Sequence, residues 1–324
     1  MRKNYLPNVD LLGGQVTLGL LVLVILIFSL LSPSFFTLQN FTNILVQASA
    51  LTIIATGMTL VLLTAGIDLS VGSVMFVTGV ISGKLAVAGW PIGLVIPFTW
   101  IIGLLFGMLN GLFIIRLKIV PFIVTLATFY AGRGLGLLIS ETRAVNLPDT
   151  FLQIGSAKVA GVPLPVIIMI VVVAAAHTLL SNTAFGRQVY AVGNHPEKAI
   201  KAGINVNTIL LSVYVICGFC AALGGVVATA QLGAVSPTFG LQSEFVAIAA
   251  AVLGGTSLFG GKGNVFPGTV IGALLIQSIQ SGLVIINANP YLYPLITGAI
   301  IFLVVLADSQ QHYRSKRVQK PGLV

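Results

Sequence analysis

Charge is what this sequence has least of. Asp, Glu, Lys and Arg make up 7% of its 324 residues, with seven acidic side chains against sixteen basic ones. An ordinary globular domain carries about 25% charge. Too little is present here to coat a water-facing surface, which excludes a soluble enzyme, a disordered scaffold and a fibrous protein. Cysteine is almost absent too. Cys217 and Cys220 stand as C-G-F-C inside an apolar run, with no polar access and no second ligand pair, so they read as packing residues and not as a redox or metal site. The three histidines, His177, His195 and His312, lack metal-ligand spacing and sit beside no protease-like Ser or Cys arrangement. Pairing of Ser73 with His177 is a remote option only.

What the chain has in quantity is apolar surface, 57% of all residues. Unbroken stretches such as VTLGLLVLVILIFSLL at 16–31 lack the alternation of a membrane barrel strand and match helices. A helix needs about 20 residues to cross the hydrocarbon. Apolar runs and their Pro, Gly or charged breaks give ten candidate spans: 16–31, 44–65, 71–89, 92–115, 122–140, 164–181, 207–232, 244–259, 265–286 and 291–307. The expected fold is therefore an all-α polytopic bundle of about ten transmembrane helices. It forms a single domain over 1–324, with the bundle at 15–310 and a basic tail at 308–324. The first run follows Arg2, Lys3 and Asp10, has no small-residue cleavage site after it, and reads as a retained helix.

Lys and Arg collect on the cytoplasmic side of membrane helices. With the amino terminus inside, twelve fall in inner segments: Arg2, Lys3, Arg116, Lys118, Arg187, Lys198, Lys201, Lys262, Arg314, Lys316, Arg317 and Lys320. Three fall outside, Lys84, Arg143 and Lys158. Both termini are then expected in the cytoplasm, and the net charge of +9 reads as topology and contact with anionic lipid headgroups. No nucleic-acid fold accompanies the basic tail, so nucleic acid is not an expected partner.

Four segments carry more specific information. The connection at 182–206 contains a short helix signal: Pro196 suits a first helical position, Glu197 the positive helix start, Lys198 and Lys201 its end, and Gly203 the stop. A helix about 10 Å long needs something to pack on. Ala199, Ile200 and Ile204 offer an apolar patch for a docking partner, or for covering a bundle end. Between the second and third spans, Asp68 and Ser70 fit an Asx turn or cap starting the next helix, the plainer reading, or a pathway hinge.

Arg133 lies deep in a span, about 16 Å from its inner edge at 1.5 Å per residue. It either snorkels outward past Gly134 and Gly136 or pairs, with Glu141 and Glu244 as the candidate carboxylates. The Gly-rich stretch at 252–268 fails the phosphate-loop spacing, since Thr256 stands five before Gly261 and Gly263 follows Lys262. The chain is thus not expected to hydrolyse ATP. Its glycines suit a tight turn and close helix packing. A loose echo between 63–74 and 253–265 is too thin to mark a repeat.

Four stretches together carry a likeness. GMTLVLLTAGIDLSVGS (57–73), RG (133–134), FGRQVYAVGNHPEKAIKAGINV (185–206) and AIAAAVLGGTSLFGGKGNVFPGTVIGALLI (247–276) resemble the permease subunits of bacterial ribose-type ABC sugar importers. The resemblance implies a non-enzymatic, multi-pass subunit of the inner membrane that moves a monosaccharide such as ribose. It implies a second permease copy or a homologous permease, cytoplasmic ATP-binding cassette subunits that hold ATP and Mg, and a periplasmic sugar-binding protein, with no cofactor in this chain. Gly186, Arg187, Asn194, Pro196, Glu197, Ala199, Gly203 and Ile204 match the family's ATPase-coupling loop, and Asp68, Ser70, Arg133 and Glu244 are its pathway or gating candidates. Phe245 and Val246 stand where the family often has an Asp, and His195 and Pro196 also depart from its usual pattern. The rival reading is a stand-alone ion-coupled carrier or channel in which Asp68, Arg133 and Glu244 would couple ions to solute.

Overall fold

Thr37 starts a long buried helix: its hydroxyl accepts from the Asn40 amide, and the chain then runs apolar to Leu63. In the computed structural model, which describes residues 11–318, this helix is α2 (Leu38–Leu63), preceded by α1 (Leu11–Leu31). There follow α3 (Val71–Val87), α4 (Ile92–Leu117), α5 (Pro121–Ser140), α6 (Asp149–Ser156), α7 (Leu164–Asn182), α8 (Ala184–Asn194), α9 (Pro196–Lys201) and α10 (Val206–Leu232). The chain ends with α11 (Ser243–Leu253), α12 (Val270–Ile285) and α13 (Leu292–Val318). Arg2, Lys3 and Lys320, part of the expected inner-side charge, lie outside the described residues.

All ten predicted segments coincide with helices, and among the described residues seven are long and apolar enough to cross a membrane. The shorter apolar pieces are Val16–Leu31, α3 and α11. The segment expected as a span at 244–259 needs correction. Its helix stops at Leu253, and eleven residues reach only about 16 Å, half the hydrocarbon thickness. The reason is local: Gly255, Gly260, Gly261 and Gly263 take positive φ, which turns the chain into a loop over 254–264.

α10 and α2 form the core, and α10 packs on α2, α3 and α4 through small residues. Gly103 and Gly107 of α4 lie against Gly218 and Tyr214, so the two backbones nearly touch, as small residues allow in lipid. The faces of α4, α5 and α7 that point away from the core are apolar and exposed, the sign of a lipid-facing surface. At one end of the bundle, short strands tie the connections together. β1 (Val145–Asn146) pairs antiparallel with β4 (Ala234–Val235), and β2 (Lys158–Val159) with β3 (Val162–Pro163). Phe151 of α6 is fully buried beneath this end.

Cys217 and Cys220 are free, buried and packed against Gly57. His177 rests edge-on against Phe266 at 5.9 Å, while the Ser73 hydroxyl donates to the Ser70 carbonyl, so the remote Ser–His pair does not form.

Candidate functional site

α2 ends at Leu63 and α3 begins at Val71, and the seven residues between them fold back into the bundle. Asp68 is 0% exposed. Its Oδ1 accepts from the Ser70 amide at 2.9 Å and the Ser70 hydroxyl at 2.6 Å, an Asx-type turn that opens α3. The turn is fixed from outside by Asn110 of α4, whose amide donates to the Ser70 hydroxyl at 2.8 Å. The Asn110 carbonyl in turn accepts from Thr128 of α5 at 2.7 Å. Thr125 adds a hydroxyl donated to the Ile67 carbonyl at 3.2 Å. The break between α2 and α3 is thereby pinned to α4 and α5. Asp68 Oδ2 and the Tyr214 hydroxyl are buried without a hydrogen-bond partner among the described residues.

Arg133 neither snorkels nor finds a carboxylate. It is 8% exposed. Its guanidinium donates to the carbonyls of Pro237 and Phe239 and lies 4.1 Å from the Phe76 ring centroid. Of the two carboxylates foreseen, Glu141 instead pairs with Lys84 at 3.6 Å on the surface, a contact of little weight. Glu244 forms no ion pair with Arg133 among the described residues. Glu244 is 4% exposed, in the first turn of α11, where a carboxylate suits the positive helix start. Its Oε2 packs on Gly72, a position whose missing side chain lets the Gly240 carbonyl and this carboxylate approach α3.

At the opposite end from β1–β4, α9 forms as expected on Pro196, and Gly203 at φ +79° closes it, with the Ile204 amide returning to the Ala199 carbonyl at 3.0 Å. The patch expected on it splits. Ala199 turns inward, Ile204 is half-buried, and Ile200 stays 60% exposed alongside Pro196, Glu197 and Lys201. Gly186 is also buried, against the end of α7, while Arg187 and Asn194 are exposed.

The helix that carries α9 is α8, which the sequence did not signal. Thr183 caps it, accepting from the Gly186 amide at 3.3 Å. At its far end Gly193 sits so close to the Leu63 carbonyl that any side chain would collide. The same Leu63 carbonyl accepts from the Gly261 amide at 2.9 Å. Asn194 donates to the Gly261 carbonyl at 3.3 Å, and the Tyr190 hydroxyl to the Gly263 carbonyl at 2.8 Å. Burial pushes the Tyr190 phenol up. Asp308 of α13 accepts from the Leu258 amide at 3.0 Å, tying the same loop to the last helix. The two Gly-rich stretches that merely echoed each other in sequence thus touch, and α8 is wedged against both.

Among the described residues no cluster of His, Cys, Asp or Glu could hold a metal ion. Of the twelve residues singled out in the sequence, Asp68 and Ser70 come together, Arg133 and Glu244 face a common loop at 236–242, and the coupling set lies together at the other end. Asn110, Thr128, Tyr190 and Asp308 were missed, because their partners lie far along the chain.

A membrane bundle with a broken, pinned helix pair and a short projecting helix has the form of a transport subunit, and the chain belongs to the family described as branched-chain amino acid transport system / permease component, which matches residues 40–305. It is a multi-pass protein of the bacterial inner membrane and a member of the permease subunits of ribose-type importers. Among its relatives is the ribose import permease protein of Haemophilus influenzae, 42% identical over 95% of this chain and 98% of that one. The D-allose transport system permease protein of Escherichia coli is 38% identical over 90% of each chain. The galactofuranose transporter permease protein of Escherichia coli is 36% identical, over 92% and 90%. No solved structure matches the chain.

Proposed function

We propose that this chain is the membrane subunit of an ATP-driven importer for a monosaccharide, a ribose-like pentose first among them. In this reading the chain crosses the membrane ten times, one crossing being made by the short α11 together with the 254–264 loop, with both termini in the cytoplasm; residues 182–206 form the coupling loop, and 308–324 the basic tail of one permease domain. Separate ATP-binding cassette subunits hold ATP and Mg and dock on Pro196, Glu197, Ile200 and Lys201. A second copy of the permease completes the pathway, and a periplasmic sugar-binding protein delivers the cargo.

The observation that carries the reading is the seating of α8 and α9: a free face on α9, rooted through Gly193 on the Leu63 carbonyl just before the Asp68 turn. Motion of a docked partner has a short path to the break between α2 and α3. ATP binding then biases two arrangements of the bundle, as any ligand with different affinity for two states does. The names of the relatives support sugar as cargo. The test is reconstitution in liposomes with the ATPase subunits and the binding protein. Sugar uptake that needs all three and ATP supports the proposal; uptake by the chain alone under an ion gradient replaces it with the secondary carrier.

A further inference from the structure

On the side of the bundle away from α9, a cleft of about 350 Å³ opens between α2, α3, α11, α12 and α13. That volume lies within the roughly 300–1,000 Å³ of small-molecule sites. Its polar lining consists of Gln242, Ser243, Gln277, Gln280, Tyr293 and Thr297, with Met75 among the apolar residues and no charged side chain. None of the pathway candidates read from sequence lines it, although Glu244 sits directly behind Ser243.

Three glutamines in a cleft at membrane depth are costly to leave facing acyl chains, since an unpaired buried amide loses several kcal/mol relative to water. They suit a cleft filled with water or a hydroxylated solute. Gln277 is pre-oriented: its side-chain amide donates to the side-chain carbonyl of Gln47 of α2 at 2.6 Å, and its own side-chain carbonyl accepts no hydrogen bond among the described residues. Gln280, one turn on and half-buried, has no hydrogen-bond partner among the described residues. Amides and hydroxyls both donate and accept, as each sugar hydroxyl does, while the Tyr293 ring and Met75 offer apolar surface to the C–H side of a sugar ring.

We infer that this cleft is the monosaccharide-contact site of the permease, with the Gln277 and Gln280 amides hydrogen-bonding sugar hydroxyls during passage. The inference rests on the proposed function and adds to it the residues that touch the cargo.

The test uses the assembled importer in proteoliposomes with D-ribose, D-allose and D-fructose as probes. For the sugar that the unaltered complex carries, Gln280→Leu is expected to lower uptake at least tenfold and Gln280→Asn to recover part of it. The thiol introduced by Gln280→Cys is expected to react with a maleimide and to be shielded threefold or more by that sugar. Cys217 and Cys220 are buried and leave a low background. Thr142→Cys, exposed in the connection after α5, serves as the unshielded control. Normal uptake by Gln280→Leu, or equal labelling with and without sugar, overturns the inference while leaving the proposed function standing. If the unaltered complex carries none of the three with ATP, both fall. Gln277→Leu is read only if it assembles, because Gln277 also bonds within the bundle.

Discussion

The side-chain amide of Asn110 reaches from α4 to the hydroxyl of Ser70 at 2.8 Å, and Asn110 has no exposed surface. That contact joins a turn of the α2–α3 break to two further helices, because the same side chain accepts from Thr128. Replacing it by Leu leaves a buried hydroxyl and a buried carboxylate with fewer partners. The expected loss is about 2 kcal/mol, seen as a lower unfolding temperature in detergent. Thr128→Val should cost about 1 kcal/mol, and the double variant less than the sum, because the two side chains share one chain of bonds. Additive losses would show that the network is not a unit.

Arg133 holds the 236–242 loop by two carbonyls, a task that needs two separated donors on a planar head. Arg133→Lys is therefore expected to loosen the loop rather than preserve it. Hydrogen exchange of the amides at 238–241 should speed up about tenfold, and Arg133→Met more. Unchanged exchange in both variants would mean that the loop is held by β1–β4 pairing alone.

Gly193→Ala places a methyl group against the Leu63 carbonyl. Overpacking of this kind costs about 1–3 kcal/mol. The consequence expected is specific: ATP hydrolysis by the assembled importer loses its stimulation by sugar-loaded binding protein, while Gly134→Ala, which meets open space, keeps it. Equal behaviour of the two variants would remove the α8–α2 contact from the coupling path.

Tyr190→Phe removes a hydroxyl donated to the Gly263 carbonyl at 2.8 Å. A loss of about 1 kcal/mol is expected, together with greater protease sensitivity of the 254–264 loop. A loop as resistant as before would assign its order to Asp308 and Asn194 instead.

How far the sequence reveals this architecture depends on the range of the interactions involved. Apolar length is a local property, so the long apolar helices of the bundle stand out in sequence, and Pro196 and Gly203 bracket α9 because their effects are local as well. Asp68 and Ser70 form their turn two residues apart, within reach of spacing arguments. The position of Arg133 within a helix is legible in sequence, and its partners are not. Its acceptors are backbone carbonyls of a loop some hundred residues away, and a carbonyl carries no residue-type signal. Asn110 was invisible for the same reason, as a single amide in an apolar run. α8 was missed because it is amphipathic and short, its apolar face set by tertiary contact with α2 and α7. The half-length of α11 follows from glycines whose positive φ is a backbone choice that sequence only hints at.

The central claim is that the bundle is driven from the cytoplasm through the free face of α9, and Ile200, 60% exposed there, is its most direct probe. The thiol introduced by Ile200→Cys should react with a membrane-impermeant maleimide in inside-out vesicles and not in right-side-out ones, and the ATPase subunits should slow that reaction at least tenfold. Labelling from the outside, or labelling indifferent to the ATPase subunits, would contradict the account.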